Sequence, residues 1–237
     1  MGIPRARTEY ESAVAVNLSG IRAVTFDVGN TLIEPRVSVG ETYAEIAAAH
    51  GVRGLSPIEI ETRFRAAFRA HGGAVNTRDE WARIVDTTFA GLVTQPPSET
   101  FFPALFEHFA QSSAWQIFDD VLPTLDDLSQ RGFRLGIISN WDARLRPLLT
   151  ALGLGKHFEA IVVSCEARCA KPSRGIFESA ANLFKLPEGE ILHVGDDLQT
   201  DVQGARAVGF RSVQIVRDAP IGGDGIGSLR ELSLGLG

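Results

Sequence analysis

Cysteine is scarce in this chain of 237 residues: Cys165 and Cys169 are its two, too few for a disulfide framework. Neither has His or Cys neighbours at zinc-ligand spacing. Such usage fits a reducing compartment and points to the cytoplasm. Long apolar runs are missing too. None approaches the ~18 residues of a membrane span, and the N-terminal segment has no secretory-type apolar core. Ala6 interrupts the myristoylation pattern that Met1-Gly2 begins. A basic footprint is absent: 23 Lys and Arg stand against 29 Asp and Glu, a net charge of −6. Neither nucleic acid nor an anionic membrane is therefore an expected partner. What is present, 44% hydrophobic and 22% charged residues, suits a soluble globular chain of one or two domains.

Five short apolar runs each end in polar residues. Ala23-Val24-Thr25-Phe26 ends at Asp27, and Leu135-Gly136-Ile137-Ile138 ends at Ser139-Asn140. Ile161-Val162-Val163 leads to Ser164-Cys165-Glu166, Ile191-Leu192-His193-Val194 to Gly195-Asp196-Asp197, and Val213-Gln214-Ile215-Val216 to Arg217-Asp218. Nearly continuous apolar runs mark strands buried on both faces, and predict a parallel sheet covered by helices. Helical patterns over Asp142–Leu152, Arg174–Phe184 and Leu198–Val208 separate the later runs and read as βαβ units. In such sheets ligands bind at the carboxyl ends of the strands. There Asp27, Ser139, Asn140, Glu166, Asp196 and Asp197 converge on one rim.

The stretch from Val39 to Trp115 differs. Ile60, Phe64, Ala67 and Phe68 repeat at helical spacing, as do Trp81, Ile84, Val85, Thr88, Phe89 and Leu92, and then Phe102, Leu105, Phe106 and Phe109. Turn residues break the pattern at 51–57, 72–76 and 95–98. This predicts about four helices inserted between the first and second strands, with the stripes forming the insertion's own core. The Phe and Trp positions from Phe101 to Trp115 read mostly as packing, with one free to line a pocket. The layout is α/β: an N-terminal arm over 1–19, a parallel-sheet core over 20–38 and 116–237, and a helical domain over 39–115.

Four pieces carry chemistry. Phe26-Asp27-Val28-Gly29-Asn30-Thr31-Leu32 puts a carboxylate at the end of a buried strand before a tight turn, whose backbone N–H groups can form an anion-binding nest. The plainer reading is a strand, a turn and a cap. Ser139, with Asn140, follows the second strand and can donate to a phosphate oxygen. Lys171 precedes Pro172, which keeps it out of a helix and lets its ammonium point inward from a loop; taken alone it would be an ordinary surface lysine. Gly195-Asp196-Asp197-Leu198-Gln199-Thr200-Asp201 places three acids at a strand–helix junction, suited to a hard cation such as Mg²⁺. Its plainer reading is N-capping by Asp197. His193, inside an apolar strand, reads as a core histidine.

In this order, these four pieces resemble the haloacid dehalogenase superfamily over residues 21–217, and residues 195–209 look especially like its fourth motif. The resemblance implies a Rossmann-like core with the helical insertion as a cap, of the type set between the first and second motifs. It also implies Mg²⁺, a phosphorylated small molecule as substrate, and an aspartate nucleophile that forms a covalent intermediate. Carried over, Asp27 is the nucleophile, and Ser139 and Lys171 (with Asn140 beside them) hold the phosphoryl group. Asp27, the Gly29 carbonyl and Asp196 hold the metal, while Asp201 or Asp197 orients Lys171 or a metal-bound water. The physics is coherent: an anionic nucleophile attacking an anionic phosphate needs its repulsion cancelled, and Mg²⁺ with Lys171 supplies three positive charges.

One position departs from the pattern. Phosphatases of this family usually carry a second aspartate two residues after the nucleophile, which protonates the leaving alcohol and then activates water. Here that position is Gly29. General acid–base catalysis is typically worth ~10²–10⁴ in rate. Glu34, Glu41 and His50 are the candidates to replace it. Two other classes follow from the same residues. A catalytically silent binding or regulatory protein of this fold rests on Gly29. A 2-haloacid dehalogenase would carry Tyr and Gly where Gly29 and Asn30 stand. Phosphonate cleavage, which requires a cap lysine, fits poorly because no lysine precedes Lys156. The motifs name neither the leaving group nor an oligomeric state.

Overall fold

The computed structural model describes residues 16–217 and 225–234. Most of the expected N-terminal arm, and Asp218, lie outside those residues. The described end of the arm is not loose, because Leu18 is buried in the core.

Five strands form one parallel sheet: β1 (Ala23–Phe26), β4 (Arg134–Ser139), β5 (Ala160–Val163), β6 (Ile191–Gly195) and β7 (Arg211–Gln214), in the order β5-β4-β1-β6-β7. Two further strands, β2 (Ile33–Pro35) and β3 (Trp115–Ile117), pair antiparallel apart from it. Burial on both faces is what the apolar runs encode. Val24, Phe26, Leu135, Ile137, Leu192 and Val194 pack on one side. Ala23, Ile138, Ala160, Val162 and Ile191 pack on the other, against Ile176, Phe177 and Phe184. The central strand β1 pairs with β4 and β6 so that Phe26 lies opposite both Ile137 and Val194. That register brings the ends of three strands level, with Asp27 between Ser139 and Asp196.

The insertion lies between β2 and β3. It holds α1 (Val39–Ala49), α2 (Pro57–Ala70), α3 (Arg78–Phe89) and α4 (Phe102–His108), in line with the expected count. Ser38, Ser56 and Thr77 cap the first three, Thr77 in a capping box with Glu80. Tyr43 stacks on Phe89 (centroids 6.0 Å), and Ile60, Val85, Phe101 and Leu105 complete the insertion's core. The β2–β3 ladder escapes a periodicity reading because three residues carry too little alternation.

Several boundaries move relative to the sequence expectation. After β3 comes α5 (Val121–Gln130), and the helix expected over Asp142–Leu152 is α6 (Leu145–Ala151), because the Asp142 carboxylate takes the Arg144 amide in a local turn first. A one-turn helix, α7 (Ser164–Ala167), follows β5, and α8 (Arg174–Phe184) stands as expected. The fifth strand comes earlier than Val213–Val216. The helix expected over Leu198–Val208 divides into a π-turn segment, Leu198–Gln203, and α9 (Gly204–Val208). Its cause is visible. The Asp197 carbonyl accepts from both Asp201 N (3.0 Å) and Val202 N (3.2 Å), widening the turn. No helix among the described residues is long and apolar enough to cross a membrane.

Gly136 marks how closely the sheet and α8 meet. A Cβ there would lie 2.7 Å from the Phe184 ring and 3.0 Å from the Ala160 carbonyl. Gly136→Ala should cost about 1–3 kcal/mol through overpacking, a fall in Tm of roughly 2–12 °C by thermal melting. An unchanged Tm would mean the layers are looser than this contact shows.

Candidate active site

The strand ends deliver a buried ionic cluster. Lys171, 3% exposed, donates from Nζ to Asp27 Oδ1 and Asp201 Oδ1, both at 2.6 Å. Ser139 Oγ donates to the same Asp27 oxygen at 3.0 Å. Asp27 extends β1, Ser139 closes β4, and Asp201 sits in the π-turn segment after β6. Lys171 comes from the loop between α7 and α8. Asn140 fixes that loop by accepting the Lys171 N–H on Oδ1 (2.7 Å) and donating Nδ2–H to the Lys171 carbonyl (3.0 Å). Asn140 thus positions the lysine's backbone.

Asp201 is held from every side. Besides Lys171, its Oδ1 lies 3.2 Å from His193 Nε2, and its Oδ2 accepts the Asp197 amide at 3.0 Å. The His193 Nδ1 is 3.0 Å from Thr25 Oγ1, across the β1–β6 pairing in which these residues face each other. His193 is a buried core residue, as read, but it also props a carboxylate. Burial holds it below its usual pKa, so the neutral ring donates through Nε2 to Asp201, while the Thr25 hydroxyl lies between Nδ1 and the Leu192 carbonyl (3.2 Å). The signal was faint: two polar side chains at matching positions in adjacent apolar runs.

Charge is unevenly balanced here. Asp27, Asp196 and Asp201 place carboxylate oxygens within 4.8 Å of one another, and Lys171 is the buried cation among them. Burial pulls the Lys171 ammonium down, but Asp201 and Asp27 outweigh it and hold it above its ordinary range. Burial likewise pushes Asp201 up, and Lys171 with His193 reverses that and holds it low. Asp27 is raised by burial, which Lys171 only partly offsets. Asp196 is pushed up to about 7 by burial and by the charges of Asp27 and Asp201. Asn30 Nδ2 donates to Asp196 Oδ2 at 3.3 Å, with Asn30 itself in the left-handed region at φ 53°.

The loop after Asp27 keeps only part of the nest the sequence suggested, the Val28 and Gly29 amides not being among those spent within it. The Asn30 amide is spent on the Ile33 carbonyl, and those of Leu32 and Ile33 on Val28. The partners of Asp27 are side chains. Those loop bonds bypass the Gly29 carbonyl. Asp197 takes its plainer role: its Oδ1 caps the amides of Gln199 and Thr200. Of the candidates to replace an acid at Gly29, Glu34 lines the cavity above the cluster, and it accepts from Gln116 Nε2 at 2.6 Å. Glu41 is tied to Ser38, and the His50 ring to the Ile46 carbonyl.

That cavity, about 910 Å³, has the ionic cluster as its floor and the insertion as its roof. More aromatic residues line it than expected: Phe102, Phe106, Phe109 and Trp115 all do, along with Trp81 and Trp141. Trp141 went unread because one apolar residue after a polar pair carries no pattern. Contacts around Asp142 and Arg144 tie roof to floor. Trp81 Nε1 donates to Asp142 at 2.7 Å, and Arg144, paired with Asp142, lies 3.6 Å from the Phe106 ring centroid.

A family model for haloacid dehalogenase-like hydrolases matches residues 21–209. The chain belongs to that family. It is 35% identical over 213 residues to haloacid dehalogenase-like hydrolase domain-containing protein 3 of Mus musculus, covering 85% of this chain and 84% of that protein. Among solved structures it is similar to a HAD phosphatase from Thermococcus onnurineus (TM-score 0.64, 25% identity, 90% of this chain and 97% of that one). The defluorinating L-2-haloacid dehalogenase Rha0230 shares the fold (TM-score 0.73, 19% identity, 93% and 98% covered). The family makes this chain a hydrolase.

Removing Asp201's charge should expose the cost of a buried ammonium. Asp201→Asn should lose about 3 kcal/mol at pH 7, a Tm fall of roughly 6–12 °C. Asp201 is depressed in the fold, so its contribution is present above its unfolded value of about 4 and is lost as pH falls through its folded value. The gap between variant and wild type should therefore narrow below about pH 4. A pH-independent gap would mean that the carboxylate's charge is not what the fold uses.

Proposed function

We propose that this hydrolase cleaves phosphomonoesters of small molecules with Mg²⁺, through an aspartyl phosphate formed on Asp27. The observation that carries the reading is the buried Lys171 ammonium between Asp27 and Asp201, with Asp196 alongside. Three carboxylates with one ammonium leave excess negative charge at the strand ends, and burial, with the neighbouring carboxylates adding to it, raises Asp27 and Asp196. A hard divalent cation fits that excess and those oxygen donors. Asp201 already accepts from Lys171, His193 and the Asp197 amide, so Asp27, Asp196 and the Gly29 carbonyl would hold the ion. Mg²⁺, when bound, supplies positive charge that neutralises phosphoryl oxygens.

The chain's own residues account for the rest. Lys171 cancels charge on the phosphoryl group, and Ser139 donates to one of its oxygens once released from Asp27. The free Asp27 oxygen attacks phosphorus, and the bond to the leaving oxygen breaks with its electron pair. Water then attacks the aspartyl phosphate, and both its hydrogens leave on phosphate as Asp27 returns to carboxylate. Asp201 keeps Lys171 charged and in place. No side chain at position 29 assists either step.

A second reading, a silent binding protein of this fold, rests on that same glycine. Dehalogenation by Asp27 has less support, because Gly29 and Asn30 depart from its first motif and an ion-binding acidic cluster serves it nothing.

Two outcomes are expected. Asp27→Asn should bring Mg²⁺-dependent phosphate release to background while Tm stays within a few degrees; unchanged turnover of an aryl phosphate by the pure variant would sink the assignment. Because Asp196 titrates near 7 without metal, protons should compete with Mg²⁺. Affinity measured by calorimetry should rise with pH up to about 7, weakening by up to about tenfold per unit below it. A flat profile from pH 5.5 to 8 would remove Asp196 from the ligand set.

A further inference from the structure

Gly29 leaves a space, and the structure shows what faces it. Its backbone is outside the left-handed region, so conformation does not demand glycine. A Cβ there would meet the edge of the Trp141 ring at 3.6 Å, an ordinary contact. An indole therefore stands beside the space an acid's side chain would take. Trp141 in turn packs on Trp115, with centroids 5.3 Å apart. Also lining the cavity, Phe68 stacks on Trp81 (5.8 Å, 22°), and Phe106 lies under the Arg144 guanidinium. Most polar groups on this wall are already engaged, and the Tyr43 hydroxyl and Arg69 guanidinium also line the cavity. Trp81 Nε1 serves Asp142, Arg144 serves Asp142 and the Phe106 carbonyl, and Glu61 serves the Gly40 amide and Arg65. Hydroxyl-rich leaving groups would exchange water for few partners here.

We infer that the site takes aryl phosphomonoesters, with the phosphoryl group on the Asp27–Lys171 floor and the ring of the leaving group between Trp141 and the facing aromatic wall. The inference rests on the phosphatase reading and narrows it. Two independent features agree. Flat rings stack on such walls, each good pair adding to what area burial gives. And an aryl oxide needs no proton to leave. A phenol ionises near 10, as tyrosine does, whereas an alcohol ionises nearer water's ~15.7, so the missing acid costs an alkyl ester far more. In the step itself the P–O bond breaks with its pair on the aryl oxygen, which takes a proton from solvent afterwards. Other carboxylates on the cavity do not fill the gap: Glu34, Glu61 and Asp197 each accept hydrogen bonds already. Burial holds the Tyr43 phenol above its usual range, which makes it a reluctant acid.

The test compares phenyl, benzyl and cyclohexyl phosphate with Mg²⁺, measuring kcat/KM, which reports the first chemical step. Phenyl phosphate should exceed both others by about 10²-fold or more. Benzyl phosphate carries the same ring on an alkoxide, and Gly29→Asp should raise its rate at least tenfold while moving phenyl phosphate only a few-fold. Benzylphosphonate, which is inert, should bind at least tenfold tighter than ethylphosphonate. Trp141→Leu, checked for folding by Tm, should weaken benzylphosphonate more than it weakens inorganic phosphate; Trp141→Phe should restore most of the difference. Comparable rates for phenyl and cyclohexyl phosphate would overturn the inference and leave the phosphatase reading standing. So would a leaving-group preference without ring-dependent binding, since chemistry alone would then select. Release of phosphate from none of the three, with 4-nitrophenyl phosphate also inert, would overturn the phosphatase reading and the inference with it.

Discussion

An ammonium buried to 3% exposure stays charged only if anions surround it, and Lys171 has two carboxylate oxygens at 2.6 Å. Much of the rim's arrangement can be traced to that requirement. Asp27 reaches the lysine because β1 occupies the centre of the sheet, and Asp201 because a π-turn carries it inward. Neither carboxylate is left to find its own orientation. Ser139 holds one, and His193 with the Asp197 amide holds the other. The cluster is a small electrostatic lattice whose members come from four separate stretches of chain. Its rigidity is inherited from the sheet register, since β4, β1 and β6 end level with one another.

The lattice is unbalanced, and the imbalance sorts its members into two kinds. Asp201 and Lys171 satisfy one another and are pinned in their ionised forms, with burial outweighed in both. Asp27 and Asp196 are the pair for which burial wins. They are ionisable groups kept short of counter-charge, and so the ones for which a cation or a bound phosphoryl group changes most. Roof and floor divide the work differently again. Charge is concentrated at the strand ends, while the insertion contributes mainly rings and engaged polar groups.

Much of this was legible in the amino-acid order, for physical reasons that differ by element. Buried parallel strands announce themselves because both faces must be apolar, and a polar residue directly after such a run has to sit on the rim. That suffices to find Asp27, Ser139 and Asp196. The insertion's helices were visible through period and caps. Three things were not. The β2–β3 ladder is shorter than the pattern that would reveal it. The π-turn depends on one carbonyl accepting two amides, which no periodicity encodes. The contacts of Trp141 and Arg144 join segments far apart in sequence to Trp115, Trp81 and Phe106, so only the folded chain brings them together. In the loop after Asp27 composition suggested free amides, and three of the loop's amides are consumed within it.

Asn140 has a consequence of another kind. Its side-chain amide offers Lys171 one donor and one acceptor, the same pair a neighbouring peptide group would offer. In effect the sheet is extended by one rung made of a side chain, and the lysine's backbone reads its register from β4 rather than from its own loop. The residues before Lys171 are thereby relieved of placing it. Asn140 is therefore not exchangeable even for aspartate, which lacks the donor and would set a second acceptor against the Lys171 carbonyl.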